Sequence, residues 1–165
     1  MFKKIIAISA LSLVSLLTQA SEHEVTQSAE HNAEVASPHS LGVFLGGVNT
    51  EHHSYFSYGL EYVYEFNHNW AASVAWERTD KAHHGDGIET YVASALYSSY
   101  KNVWLGIGYG KEEIHGHNSH TEDLYRLSAA YDYKFDRFKV APMIALDFVD
   151  GNTSIVAGAS FAIMF

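Results

Sequence analysis

The stretch Phe56-Ser57-Tyr58-Gly59-Leu60-Glu61-Tyr62-Val63-Tyr64-Glu65-Phe66 decides the fold of this chain. Every second residue is aromatic or leucine, and the residues between them are small, acidic or valine. Successive side chains of a β-strand point to opposite faces of the sheet. The alternation therefore predicts a strand with one apolar, aromatic face and one small or polar face.

Similar alternation recurs along the chain in eight segments that are separated by turn residues. The predicted strands are Leu41–Asn49, Tyr55–Asn67, Trp70–Thr79, Glu89–Ser98, Val103–Lys111, Asp123–Phe135, Lys139–Val149 and Thr153–Phe165. Most of them approach the ~9–11 residues that a tilted strand needs to cross a bilayer. The connections alternate between tight turns and longer polar loops, except that Asp150-Gly151-Asn152 is short. This pattern predicts an all-β protein, an eight-stranded antiparallel up-and-down transmembrane β-barrel.

The polar faces of the predicted strands separate a membrane barrel from a soluble lipocalin-like cup. The exterior of a soluble barrel is roughly a quarter to a third charged residues. The polar faces here are mostly Gly, Ala and Ser, which suits a narrow and packed lumen. The few enclosed charges are expected to pair, because an unpaired buried ion costs several kcal/mol. They are Glu61, Glu65, Glu77, Arg126, Asp132, Lys139 and Asp147.

The first forty residues differ from the rest of the chain. Lys3 and Lys4 precede an apolar run over Ile5–Leu17, and small or polar residues follow up to Ala20. This is the pattern of a secretory signal peptide, so residues 1–20 are predicted to be removed by cleavage after Ala20. Residues 21–40 contain several Glu and His without an apolar period, which predicts a disordered acidic leader before a barrel over residues 41–165.

Charge and composition exclude two further classes of protein. The 165-residue chain carries a formal net charge of −9, whereas proteins that bind nucleic acid or anionic lipid surfaces need clustered Lys and Arg. The chain contains no cysteine, so its fold depends on backbone pairing and packing without disulfides.

The final segment, Gly158–Phe165, has apolar residues at alternate positions and a terminal Phe. With the signal peptide and the eight strands, it makes the chain resemble the OmpA/OmpX-like outer-membrane β-barrel domains over Leu41–Phe165. The resemblance implies a monomer in the bacterial outer membrane whose terminal aromatic residue is read by the barrel-assembly machinery. It also implies a periplasmic N-terminus, extracellular long loops, and roles in adhesion or envelope integrity.

Histidines gather in the three long connections, beside carboxylates, and none is predicted to lie on a strand. Imidazole combined with carboxylate suits Zn, Cu or Ni, so the loops predict a transition-metal site. The candidate ligands are His52, His53, His83, His84, Asp86, His115, His117 and His120. Their spacing matches no fixed metal motif, and two alternatives stay open: polar loops with weak, adventitious affinity, and loops that charge together near pH ~6.

Catalysis and conduction are both disfavoured by the sequence. A nucleophile such as Ser94 or Ser98 needs a histidine within hydrogen-bond reach, and the predicted strands contain none. A loop site built on Ser119 and His120 has no distinguishing feature. Eight strands leave an interior that side chains fill, so a wide channel is not expected. The sequence therefore predicts a small, non-enzymatic outer-membrane barrel; a structural or adhesive role without metal and a lipid-modifying enzyme are the alternatives.

Overall fold

The computed structural model describes residues 37–50, 53–80, 87–116 and 119–165. Within these ranges the chain forms nine strands, and no helix among them is long and apolar enough to span a bilayer. The strands are β1 (His39–Thr50), β2 (His53–Glu65), β3 (Trp70–Thr79), β4 (Ile88–Tyr100), β5 (Val103–Ile114), β6 (His120–Tyr131), β7 (Tyr133–Phe135), β8 (Phe138–Val149) and β9 (Asn152–Met164).

The nine strands form one closed antiparallel barrel with eight strand positions, which we call staves. Neighbours in sequence pair with each other, and β1 also pairs with β9, which closes the sheet. At this seam the backbone N–H of His39 donates to the carbonyl of Phe165 at 3.1 Å, and the N–H of Phe165 donates back at 2.9 Å. Strands β6 and β7 make a single stave that is interrupted at Asp132, and both pair with β8. The predicted fold class is confirmed.

Alternation along each stave sorts side chains between the lumen and the outer surface. On β2, Phe56 and Leu60 are 62% and 51% exposed, whereas Ser57 and Glu65 are buried. The predicted facing of β6 and β8 is confirmed in the same way, for example by exposed Leu127 beside buried Arg126. The apolar residues thus lie outside, as expected for a barrel whose solvent is hydrocarbon.

Aromatic residues form two belts on the outer surface. At the end with the tight turns, the rings of Trp70 and Tyr97 lie 4.8 Å apart, and those of Tyr131 and Tyr133 lie 4.7 Å apart. At the loop end the belt contains Phe56, Tyr58, Trp76, Tyr91, Tyr109, Tyr125 and Phe148. Aliphatic side chains such as Leu105, Ile107 and Ile144 occupy the band between the belts, as in membrane barrels.

The connections use residues that tolerate left-handed backbone. Asn102, Asp136 and Asp150 have φ of 63°, 48° and 44°, and Gly151 has φ of 77°. Asn, Asp and Gly are the residues that adopt this conformation most readily, and two-residue hairpins require it. These hairpins fix the register of the staves they join.

The strand ends differ from the sequence prediction at the loop end. Strands β1, β2, β5 and β6 continue past their predicted limits, so that Thr50 pairs with His53 and Ile114 pairs with His120. The prediction that no histidine lies on a strand is therefore wrong: His53 and His120 begin strands, and His39 begins β1. Above the apolar band both faces of a hairpin are polar, so the alternation disappears while the backbone pairing continues.

Candidate functional site

An ion-pair layer crosses the lumen towards the loop end. Arg126 on β6 points inwards, directly opposite Asp147 of β8 in the strand register. Its Nε and Nη2 donate to the two Asp147 carboxylate oxygens at 2.7 Å each. Nη2 also donates to Oε2 of Glu77 at 3.0 Å, and Nη1 contacts Oε1 of the same carboxylate. One guanidinium therefore ties β3 to β6 and β8 across the barrel, and such bidentate pairs are the strongest class of hydrogen bond.

A second polar layer lies towards the turn end. The indole N–H of Trp104 donates to Oδ2 of Asp132 at 3.1 Å, and the Lys139 ammonium lies 3.4 Å from the same oxygen. Below it, Lys134 Nζ donates to both carboxylate oxygens of Glu65 at 3.0 and 3.1 Å. The prediction that enclosed charges pair is confirmed for these groups.

Glu61 is the exception to this pairing. It forms no ion pair within the described part of the chain and lies near Ser160 and Lys139. The Ser160 hydroxyl is itself buried and has no hydrogen-bond partner among the residues that the structure describes.

The space between the two layers is small. A cavity of about 60 Å³ lies between them, lined by Glu61, Ser94, Trp104, Ser128 and Ser160 among others. A cavity needs roughly 10–15 Å³ of such volume to hold one water, so this cavity has room for a few waters. Side chains take up the rest of the lumen between the two ion-pair layers.

Two imidazole–carboxylate pairs occupy the loop end. Nε2 of His120 lies 3.0 Å from Oε1 of Glu122, which faces the lumen and lies opposite Glu112 in the register. Nε2 of His115 lies 3.5 Å from Oε1 of Glu89, which faces outwards. The two histidines of this hairpin therefore point to opposite faces of the sheet.

The predicted metal ligands are only partly described. His53, His115 and His120 are exposed at three different places on the loop end, and no group of three potential ligands forms among the residues that the structure describes. His52, His83, His84, Asp86 and His117 lie outside the described residues.

A carboxylate on the outer surface, which the sequence analysis did not single out, accepts hydrogen bonds from two rings of the loop-end belt. Glu89 accepts hydrogen bonds from Arg78 Nη1 at 2.7 Å, the Tyr91 hydroxyl at 2.9 Å and the indole N–H of Trp76 at 3.4 Å. Arg78 also donates to Asp80 at 3.0 Å. Alternation places Arg78, Glu89 and Tyr91 on the outer face, but only the register of β3 against β4 brings them together.

The two candidate nucleophiles have no histidine partner in the part of the chain that the structure describes. Ser94 lines the lumen cavity, and no histidine is among the described residues that line it. The Ser98 hydroxyl donates to the backbone carbonyl of Tyr100 at 3.0 Å. Among the described residues, neither serine therefore has the imidazole of a Ser–His pair.

The geometry defines a class of protein: a closed eight-stranded barrel with an apolar, aromatic-belted exterior and a lumen sealed by ion pairs. The sequence matches no protein-family model and no curated protein. Solved structures share its architecture, and the chain has the fold of the small eight-stranded outer-membrane barrels.

Three of these similar structures superpose with TM-scores above 0.5. Neisserial surface protein A gives a TM-score of 0.58 at 14% identity, covering 77% of this chain and 96% of its own. The N-terminal barrel of Pseudomonas aeruginosa OprF gives 0.57 at 12% identity, covering 76% and 97%. Ail, the attachment invasion locus protein of Yersinia pestis, gives 0.52 at 17% identity, covering 78% and 97%. At such identities the likeness concerns the fold.

Proposed function

We propose that this protein is a monomeric, non-enzymatic barrel of the bacterial outer membrane that acts through its loop end. The observation that carries the proposal is the sealed lumen: Arg126 spans it between Glu77 and Asp147, and the remaining cavity is only about 60 Å³. A barrel that does not conduct can interact with other molecules only through its outer surface and its loops. The extracellular placement of the loop end follows from the resemblance to the small outer-membrane barrels.

Conductance tests the sealed lumen. The refolded barrel in a planar lipid bilayer is expected to give no regular unitary conductance steps. Adding Asp132→Ser and Lys139→Ser to Glu77→Ser, Arg126→Ser and Asp147→Ser removes the ion pairs of both layers, so this variant is the matched control for inserted protein. Regular steps from the native protein would overturn the proposal.

Localisation is tested in the cell. The full chain, expressed in a Gram-negative host, is expected in the outer-membrane fraction, with Ser21 as the mature N-terminus and with gel mobility that changes on heating. Recovery of the intact chain in the soluble fraction would contradict the membrane assignment.

Loop-level capture of a divalent transition metal is the finer proposal. His115–Glu89 and His120–Glu122 support it, because they present imidazole nitrogens beside carboxylate oxygens at the loop end. One shared ion would need the hairpin tip to rearrange, or ligands from the other loops, since the two pairs face opposite ways. The proposed set remains His52, His53, His83, His84, Asp86, His115, His117 and His120.

Isothermal titration of the barrel with zinc, copper and nickel at pH 7.5 and 5.5 tests metal capture. Micromolar binding that disappears at the lower pH is expected, because protonated imidazole is not a ligand. The His115/His117/His120 triple-alanine variant should lose most of the binding, whereas His68→Ala, at the turn end, should keep it. Equal binding by the triple variant would sink the metal proposal and leave a structural or adhesive barrel.

A further inference from the structure

The enclosed charges of the lumen do not balance. In the two ion-pair layers and the space between them, more carboxylates than cationic side chains are present among the described residues. They are Glu61, Glu77, Asp132 and Asp147 against Arg126 and Lys139. Because an uncompensated buried charge is strongly destabilising, this part of the lumen favours a further positive charge.

Glu61 is the carboxylate that the ion-pair layers leave over. It forms no ion pair within 4.0 Å among the described residues, and it lines the cavity of about 60 Å³ between the layers. Lys139 acts on it electrostatically, but the Lys139 ammonium lies 3.4 Å from Asp132 and is shared with that group. The excess negative charge therefore faces an enclosed space.

Serine hydroxyls surround the same cavity. They come from strands β3, β4, β6 and β9 and belong to Ser73, Ser94, Ser128 and Ser160. Ser160 is only 2% exposed and faces Glu61, yet within the described ranges its hydroxyl makes no hydrogen bond of ordinary geometry. A buried polar group in this state points to a bound water or ion as its partner.

Glycines on neighbouring strands leave the space that these hydroxyls occupy. A Cβ at Gly108 would lie 2.6 Å from the Ser94 hydroxyl, and a Cβ at Gly42 would lie 2.8 Å from the Ser160 hydroxyl. Any side chain at these two positions would displace a hydroxyl of the cavity. The backbone therefore holds one carboxylate and several neutral oxygens around a space of a few waters.

We propose that this cavity binds one monovalent cation of the size of sodium, with the Glu61 carboxylate as its charged ligand and the Ser160 hydroxyl as a neutral one. Oxygen donors of this kind suit hard cations. A divalent ion fits less well, because calcium takes six to eight oxygen ligands and Lys139 already acts on the same carboxylate. The ion compensates charge inside a closed barrel, so it requires neither the loop histidines nor a conducting path.

Urea titration of the refolded full-length mature protein in phosphatidylcholine vesicles tests the proposal. Sodium chloride is replaced stepwise by N-methylglucamine chloride, which keeps the ionic strength constant and supplies a cation too large for the cavity. A ligand that binds only the folded state stabilises it by mass action, so sodium at about ten times its dissociation constant should raise the folding equilibrium constant about tenfold.

Glu61→Gln keeps the size of the side chain and removes its charge, so it should abolish the sodium dependence. Ser160→Ala removes one neutral ligand and should weaken it. Glu89→Gln, which removes a carboxylate of the outer surface, is the matched control and should keep the native dependence. Each variant is compared with itself in the two salts, so a change in its basal stability does not enter the result.

Several outcomes would overturn the inference. Equal stability of the native barrel in the two salts would exclude a sodium site, and an unchanged sodium dependence in Glu61→Gln would place sodium elsewhere. Native stability that varies with pH but not with sodium would assign the compensating charge to a proton. Heat-modifiable gel mobility shows first which variants form the barrel. If Glu61→Gln does not, Ser160→Ala decides, because an unchanged dependence there removes Ser160 and its cavity from the site.

Discussion

Replacement of Arg126 by Met removes the group that holds the lumen together. Both its partners are enclosed, with side chains of Glu77 and Asp147 only 6% and 7% exposed. Removing one member of a buried ion pair costs ~3–5 kcal/mol, because the remaining charge is left without compensation. Here two carboxylates are left facing each other, so we expect about 5 kcal/mol of lost unfolding free energy at pH 7, the top of that range.

Protonation of the freed carboxyl groups limits the loss of unfolding free energy. Each of the two freed carboxyl groups can take up a proton at a cost of about 4 kcal/mol at pH 7 and about 1 kcal/mol at pH 5, so together they limit the loss to about 8 and about 2–3 kcal/mol. The destabilisation of Arg126→Met should therefore shrink by at least half between these pH values. An apolar triple variant, Arg126→Met with Glu77→Leu and Asp147→Leu, should recover most of the loss, since well-packed apolar residues can replace a buried ionic group.

Urea titration of the barrel in lipid vesicles measures these changes. Trp70 and Trp76 lie on the outer surface, so their fluorescence reports the transfer from lipid to water. Arg78→Met is the matched control, because its ion pairs are 39% exposed on the arginine side and should contribute far less than the buried pairs of Arg126. A loss below ~1 kcal/mol for Arg126→Met, or a triple variant no more stable than the single one, would refute the reasoning.

Two further perturbations test the facing and packing of the staves. Leu127→Lys places a charge on the outer face, where Leu127 is 50% exposed. Urea titration in lipid should show a loss of ~2–4 kcal/mol in unfolding free energy. A loss of only a few tenths would mean that this face does not contact hydrocarbon. Gly59→Ala should cost ~1–3 kcal/mol of unfolding free energy or prevent folding, because its Cβ would collide with the Trp76 carbonyl. The Cβ of Gly47→Ala would lie 3.2 Å from its nearest neighbour, so this variant should cost less than ~1 kcal/mol in the same assay. Equal losses for the two glycines would contradict the packing.

The sequence predicted the facing of a strand best where the two faces of that strand differ most in chemistry. On β2, β6 and β8 most outward side chains of the apolar band are larger or more apolar than their inward neighbours, so period-two alternation was sufficient. On β1 and β5 large residues point inwards: Phe44 fits against the glycines at positions 46 and 158, and Trp104 bonds to Asp132. Such contacts join staves that are distant in sequence, and a single-strand pattern does not contain them.

The site was predictable at the level of residue type only. The sequence indicated which charges are enclosed, and it placed histidines at the loop end. It did not indicate that Arg126 pairs with both Glu77 and Asp147, nor that Glu61 has no ion pair among the described residues, because these pairings depend on the register between strands. For the same reason the sequence did not reveal that Glu89 holds Trp76 and Tyr91.

The seam between β1 and β9 has a consequence for how the chain reaches its folded state. Its hydrogen bonds join residues 39 and 165, so this contact is among the most distant in sequence within the described part of the chain. Until that contact exists, both seam strands have unpaired edges, which in water invite aggregation and in hydrocarbon cost several kcal/mol per exposed group. A chain that lacks β9 therefore cannot form the closed barrel, and closure must follow synthesis of β9. Kinetics dominated by such non-local pairing are slow, so the unfolded chain needs protection while it travels to the membrane.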